Sequence, residues 1–501
     1  MKLKKIVNII TVLLFLSLIA GAGDYFYNAV NSYKVSNGFV SVPLQFDPDQ
    51  SSSEYNFNNL KITVYGAFIK GIQRDNKSGE GLVIRALSPL PVIVAKADFG
   101  ASFKLLMENV NPDFYAKSIV NYNLHMVKVK ANTIQIDLSL KAGEEIKIEP
   151  AIDMSNKEYQ YIILGDNRDG YEIFDQIIQQ VNGLSPLFVI DNGDLVYSGK
   201  PNQYRLFDQM VSEISSTVCS TLGNHDIHDD GRTTYTMLYG PAYYSFEFKD
   251  THFIFLDSSQ GWAEKQAISD EQYAWLERDL KKAQGKNIFV ITHIPPEDPR
   301  SEVTQNEIPN YVNQAKNGDN WVEQKLNNYN DTKEMDHGFQ DPQEAARFEN
   351  LMSSYHVDTV YLSHIHSHLE YSKDGVRYLI SGGAGAELLT KNSYYHYIVT
   401  RISNAKMITM VELPSPTNTY IARYDAAARL FSSAMYKENP IATILVITGF
   451  ILLLILLFIK LYLWKKRFFD TIWTWLKDTG KYAGKRFKEL LGKKKRLPDS
   501  Q

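Results

Sequence analysis

Five apolar runs in this chain each end on a residue that can ligate a metal or move a proton. Residues 161–164 lead to Gly165-Asp166, residues 187–190 to Gly193-Asp194, and residues 218–222 to Gly223-Asn224-His225-Asp226. Further on, residues 288–291 lead to Thr292-His293 and residues 357–362 to Ser363-His364-Ile365-His366. Carboxylate, amide and imidazole groups are donors for transition metals. In open α/β sheets, ligands bind beyond the carboxyl ends of the strands, where successive loops can gather such groups. One polar residue behind a strand says nothing; five in succession, all of ligand type, mark a candidate site.

This ordered set resembles the calcineurin-like metallophosphoesterase superfamily over about residues 157–390, roughly half the chain. Gly193-Asp194-Leu195-Val196-Tyr197, and a histidine shortly before Pro295-Pro296, are similar to the purple acid phosphatase branch. The resemblance implies a phosphohydrolase that cleaves phosphate mono- or diesters with two transition-metal ions. Two ions about 3.5–4 Å apart can clamp both oxygens of an in-line phosphoryl displacement. By that resemblance Asp194 bridges the ions, Asp166 and His366 complete the first shell, and Asn224, His293 and His364 hold the second. Mixed nitrogen and oxygen ligation suits Fe, Mn or Zn. A metal-bridging hydroxide would be the nucleophile, with His225 at the leaving oxygen and Asp226 orienting His225 by a hydrogen bond.

One block departs from the pattern. Where the superfamily carries Asp-any-His, this chain reads Asp166-Asn167-Arg168. Arginine donates only and cannot ligate, so Tyr197 is a candidate replacement, either as a phenolate ligand or as a packing residue. Arg168 either grips phosphate through its guanidinium fork or forms a structural ion pair. This departure keeps a second reading open, a catalytically weak binding or scaffolding ectodomain. Among the other histidines, His228 and His368 read as local polar groups, His252 as structural, and His337 as a residue of the long polar loop, with a role on the substrate side as the lesser alternative. The glycines of Gly382-Gly383-Ala384-Gly385 read as a place where backbone passes close to the site histidines.

Elements must position these groups. Residues 56–150 carry short alternating runs, such as 60–65, 126–129 and 134–140, which argue for half-buried antiparallel strands in a small all-β domain. From residue 157 strands alternate with amphipathic stretches. Phe174, Ile177, Ile178 and Val181 share one helical face, and Ser269 with Gln272, then Asp341 with Pro342, signal helix starts. The expected fold is therefore α/β over residues 157–413, a central β-sandwich flanked by helices. The polar, Asn-rich stretch 295–340 reads as a long functional or mobile loop.

The ends point to a membrane. Residues 1–22 place Lys2, Lys4 and Lys5 before an apolar run and Ala20-Gly21-Ala22, the layout of a secretory signal or an N-terminal anchor. Residues 23–55 read as a leader and 414–439 as a linker. Residues 440–463 read as a transmembrane helix. Lys465-Lys466-Arg467 then place the tail 464–501 in the cytoplasm and the catalytic region outside the cell membrane. That tail, with apolar residues spaced among lysines, reads either as a basic amphipathic helix on anionic lipid or as a solvated stop-transfer tail. From residue 465 onward twelve Lys/Arg face four Asp/Glu. Three lysines precede residue 23 and Lys460 adds one, so a chain of net charge −4 leaves −16 on the remainder. Such an acidic region excludes nucleic acid as the main partner. The lone Cys219 excludes an intramolecular disulfide and reads as a buried small hydrophobe.

Overall fold

The computed structural model describes residues 12, 15–16, 19–23, 39–57, 59–75, 79–116, 124–156, 158–168, 170–259, 268–301, 337–388, 393–403, 406–414, 424, 428, 440–464 and 466–493. Most of the expected N-terminal segment, much of the leader and linker, and residues 302–336 of the long loop lie outside them. The chain divides into two units, Ala29–Ala434 and the two ends, Met1–Asn28 with Met435–Gln501.

The large unit opens with ten strands. They are β1 Phe39–Ser41, β2 Ser52–Phe57, β3 Leu60–Tyr65, β4 Ala67–Asp75, β5 Gly79–Ala86, β6 Val92–Ala97, β7 Ala101–Glu108, β8 His125–Lys130, β9 Thr133–Leu140 and β10 Glu145–Ile148. They build one sheet in the order β1-β4-β5-β7-β9-β8 and another in the order β10-β6-β3-β2. The period-two alternation explains the packing. In β3 Leu60, Ile62 and Val64 are buried while Lys61 points out, and they join Ile93, Leu105, Ile134 and Ile136 in one core. β8 differs from expectation: among the described residues it pairs only with β9 at the sheet edge, and Val127 and Val129 are exposed.

The mixed part follows with β11 Tyr159–Leu164, α1 Tyr171–Leu184, β12 Phe188–Asp191, α2 Pro201–Val211, β13 Thr217–Ser220, α3 Gly231–Tyr239, β14 Tyr244–Phe248 and β15 Thr251–Phe255. It continues through α4 Asp270–Lys282, β16 Asn287–Ile291, α5 Pro342–Ser354, β17 Thr359–Leu362, β18 His368–Lys373, β19 Val376–Ser381, β20 Tyr397–Ser403 and β21 Lys406–Glu412. Two sheets result, β13-β12-β11-β20-β21 and β14-β15-β16-β17-β19-β18. Their apolar inner faces meet through Tyr161, Phe188, Phe253, Phe289 and Tyr361, with Cys219 buried among them. Burying each such ring contributes about 2–3 kcal/mol. Helices α1 and α2 cover one outer face through Phe174, Ile178, Phe207 and Val211. Helices α4 and α5 cover the other through Leu276, Leu280, Phe348 and Met352. Both start as their sequences require. Ser269 Oγ accepts from the Gln272 N–H at 3.1 Å, and the Asp341 carboxylate from the Gln343 N–H at 2.9 Å.

Strands β11, β12 and β13 are parallel, as are β15, β16, β17 and β19. Parallel pairing brings the carboxyl ends within each set to one side of its sheet. The free edge at β13 is closed by the all-β part. The Asn109 amide donates to Val218 O and accepts from Val218 N, both at 2.8 Å, and donates again to Ala86 O at 2.9 Å.

In the other unit α6 spans Pro440–Trp464 and α7 Lys466–Lys493. The expected transmembrane helix is not carried by this description: among the described residues no helix is long and apolar enough to cross a membrane. The apolar run behind that expectation includes Leu452, Leu456, Phe458 and Ile459, whose side chains lie outside the description.

Candidate metal centre

The site lies at the ends of β11, β12, β13, β16 and β17, and three of these ends turn sharply. Asp166, Asp194 and His364 take left-handed backbone angles, with φ of 58°, 56° and 67°. Aspartate tolerates that region; for His364 it is strain of the order of 1 kcal/mol, of a kind that gathers at functional sites. The turns also let backbone come close. A Cβ on Gly382 would stand 2.6 Å from Asp166 Oδ2 and from Ile365 O, and one on Gly223 would collide with the Asp194 backbone nitrogen and carboxylate. The glycines near the histidines thus serve the close approach expected of them.

The donors converge. One donor atom each from Asp166, Asp194 and His366 lies within 4.8 Å of the others. His293 Nε2 stands 3.3 Å from Asp194 Oδ1 and 3.9 Å from Asp166 Oδ1, while His366 Nε2 is 3.5 Å from Asp166 Oδ1. His364 joins them, its ring 5.3 Å from that of His293 and its N–H donating to Asp166 Oδ2 at 2.9 Å. Asp194 Oδ1 also accepts the His225 N–H at 2.9 Å. Among the described residues Asp166 Oδ1, Asp194 Oδ2, Asn224 Oδ1 and His293 Nε2 are buried without a hydrogen-bond partner.

These orphans fit a metal. His293 donates Nδ1–H to the Asn192 carbonyl at 2.7 Å, and His366 donates its own to the Glu387 carbonyl. A carbonyl only accepts, so each ring is fixed as the tautomer whose Nε2 carries a lone pair. Lone pairs and carboxylate oxygens facing one another in a buried space repel unless a cation lies between them. The Asp166 carboxyl answers to positive charge beside it: burial alone would raise it, but the rings of His366, His293 and His364, when protonated, outweigh burial and hold it below the usual range, the direction in which a bound cation would also drive it. Burial, with the neighbouring imidazoles of His293 and His337, pushes His364 well down.

Among the expected site residues, Asp166, Asp194, His293, His364 and His366 are thus brought together. Asn224 presents a buried, unpartnered Oδ1, and His225 sits beside them. Asp226 corrects the expectation that it orients His225. Its carboxylate turns back into the loops, accepting from Gly223 N at 2.8 Å and Val196 N at 3.0 Å, and so ties the β13 turn to the β12 turn. The carbonyl of Tyr197 orients His225 instead, accepting from Nδ1 at 2.6 Å. The Tyr197 ring is 48% exposed, outside the buried cluster, with the Arg168 guanidinium 5.3 Å from its centroid. Arg168 is buried and ion-paired, its Nη2 2.6 Å from Glu387 Oε1. His252 pairs with Asp279 at 2.7 Å and His368 bonds locally to the Tyr394 hydroxyl at 3.0 Å, both as expected. His337 reaches the site, its ring 5.2 Å from His364, and His228 lies 5.3 Å from His225. Sequence reasoning missed Asn192 and Glu387. Neither carries a signal, because both act through a main-chain carbonyl or a distant loop.

A glycerophosphodiester phosphodiesterase of Enterobacter lignolyticus is 28% identical over 133 residues, covering 24% of this chain and 46% of that protein. A probable glycerophosphodiester phosphodiesterase of Arcobacter nitrofigilis is 29% identical over 126 residues, covering 24% and 46%. The chain spans about half the length of the curated relatives it matches. Among solved structures, a purple acid phosphatase from yellow lupin aligns over 72% of this chain and 79% of that one, at 12% identity and a TM-score of 0.40. The model of the calcineurin-like phosphoesterase family matches residues 159–368. That stretch holds the converging strand ends described above, and it is a calcineurin-like phosphoesterase domain.

Proposed function

We propose that this chain hydrolyses phosphate esters with two transition-metal ions held by the converged donors. The observation that carries the reading is the set of buried, unpartnered donors on Asp166, Asp194, Asn224 and His293, with His293 and His366 pre-oriented by main-chain carbonyls. Asp194 would be shared between Asp166 with His366 on one side and Asn224, His293 and His364 on the other. Their mixed nitrogen and oxygen character fits Fe, Mn or Zn. Such ions, when bound, polarise phosphoryl oxygens and make water a competent nucleophile near neutral pH. The chain's own part is to hold and orient. His225, fixed through Nδ1 by the Tyr197 carbonyl, keeps Nε2 for the leaving oxygen and, when doubly protonated, can hand it the Nε2 proton there. The Arg168 guanidinium lies 5.3 Å from the Tyr197 ring centroid, and for Tyr197 to supplement the Asp166 shell its exposed ring would have to swing in to the buried donors. Curated relatives named as glycerophosphodiester phosphodiesterases support trying diesters first.

The location belongs to the same reading. The run 441–459 followed by Lys465-Lys466-Arg467 supports a membrane tether with the domain outside and the tail inside. Exposed Ile472, Trp473, Trp475, Leu476 and Tyr482, set among the lysines of α7, support contact with anionic lipid headgroups. Asp194→Asn and His225→Ala should each abolish turnover of a mono- and diester panel while circular dichroism stays unchanged. Full activity in either would end the mechanism, and a wild type free of transition metal and inert on the panel would favour the scaffolding reading. Protease treatment of intact cells that spared residues 39–414 would contradict the outward placement.

A further inference from the structure

Three rings gather where the chain leaves β12 and β13. The His225 ring neighbours that of Tyr197 at 5.2 Å, inclined by 40°, and that of His228 at 5.3 Å, inclined by 38°. Main-chain bonds hold all three in place. The Tyr197 carbonyl accepts from His225 Nδ1, the Val196 N–H donates to Asp226, and the His228 N–H donates to the His225 carbonyl at 3.3 Å. Gly199, at a φ of 64°, runs so close to the second loop that a Cβ would strike the His228 carbonyl and Gly231. Tyr197 is nevertheless 48% exposed. The Arg168 guanidinium, itself buried, lies 5.3 Å from its centroid, so the ring is backed from within and open to solvent outward.

A single exposed aromatic ring is ordinary on a protein surface. This one is set apart by its place beside His225, whose main-chain N–H donates to Asp194 Oδ1 at 2.9 Å at the edge of the metal centre. An ester bound with its leaving oxygen at His225 Nε2 must lead its alcohol out past the rings that adjoin His225. Aromatic rings attract other flat rings in offset or edge-on contact beyond what buried area alone supplies. We propose that Tyr197 and His228 form a leaving-group subsite, which selects phosphate esters whose alcohol carries a flat aromatic ring, as arylmethyl alcohols and nucleosides do. The inference rests on the phosphohydrolase reading above, and it gives the Tyr197 ring a substrate to touch instead of a metal.

The test gives the metal-loaded full chain matched pairs of esters of phosphate and of methyl phosphate. Benzyl is set against cyclohexylmethyl, and thymidine against methyl deoxyriboside, both esterified at the primary hydroxyl. Within a pair the leaving alcohols are similar in basicity, so the ratio of kcat/KM reports on the ring. Wild type should favour the aromatic member of at least one pair by about 2- to 10-fold, and which pair tells arylmethyl from nucleoside alcohols. Tyr197→Ala keeps the main-chain carbonyl that fixes His225 and should erase the preference. Tyr197→Leu, apolar but not flat, should erase it too, and His228→Ala should reduce it. Tyr197→Phe should keep both the preference and the metal content of wild type by elemental analysis. No preference in either pair, a preference that survives Tyr197→Ala or Tyr197→Leu, or metal lost from Tyr197→Phe would overturn the subsite while leaving the hydrolase standing. A preference untouched by His228→Ala would overturn the part given to His228. A wild type inert on every ester would overturn the phosphohydrolase reading itself, and the subsite with it.

Discussion

His396 offers a test of the fold through pH. It is fully buried behind the glycine loop, its Nδ1 donating to Tyr394 O at 2.9 Å and its ring against Gly383, where no Cβ would fit. Burial, helped by the nearby His368 imidazole, pushes it from an ordinary value near 6.5 down to about 3. The folded value is depressed, so the unfolded chain takes up the proton first. The contribution is complete above about pH 6.5, is lost as pH falls, and stops changing below about pH 3. Integrated, this one side chain costs the fold about 2 kcal/mol between pH 8 and pH 5, and about 3 kcal/mol by pH 4. His396→Gln and His396→Phe remove the titration. Both lose packing or hydrogen bonds and should be less stable at pH 8. Their urea unfolding free energies should nevertheless fall about 2 kcal/mol less than wild type between pH 8 and pH 5. Groups other than its neighbour His368 titrate alike in all three proteins and cancel. Curves that run parallel over that interval would refute the reasoning.

The all-β part should matter to the sheet that carries the site through Asn109: Asn109→Ala leaves the Val218 N–H and carbonyl without the bonds it supplies at the sheet edge. At about 1–3 kcal/mol for each stranded group, a melting temperature lowered by several degrees is expected, and an unchanged one would show that the edge needs no cap. Gly223→Ala should keep the fold but lose metal and turnover, because a Cβ there collides with the Asp194 backbone and carboxylate. Normal metal content by elemental analysis would contradict that.

Much of the site was legible in the chain because the chemistry repeats a local rule. An apolar run that ends in Asp, Asn or His can be seen without a structure, and parallel strands then carry such ends to one side of a sheet. The helix starts at Ser269 and Asp341 were equally local, since a cap bonds to a residue two or three positions on. The resemblance added the order of the five blocks, and hence the family. What the sequence could not decide is where a side chain points once its backbone is set. Asp226 follows His225 directly and looks like its orienting partner, yet the turn aims its carboxylate at two backbone N–H groups, and the job passes to the Tyr197 carbonyl. Arg168 could be read as a phosphate ligand or as half of an ion pair. Only the fold brings Glu387 to it across 219 positions. The same holds for Asn192, Glu387 and Asn109, whose contributions run through main-chain atoms or across domains. Residue types and short spacings fix donors and local caps; long-range pairing, which depends on how two sheets stack and how loops close over their ends, is decided only in the tertiary structure.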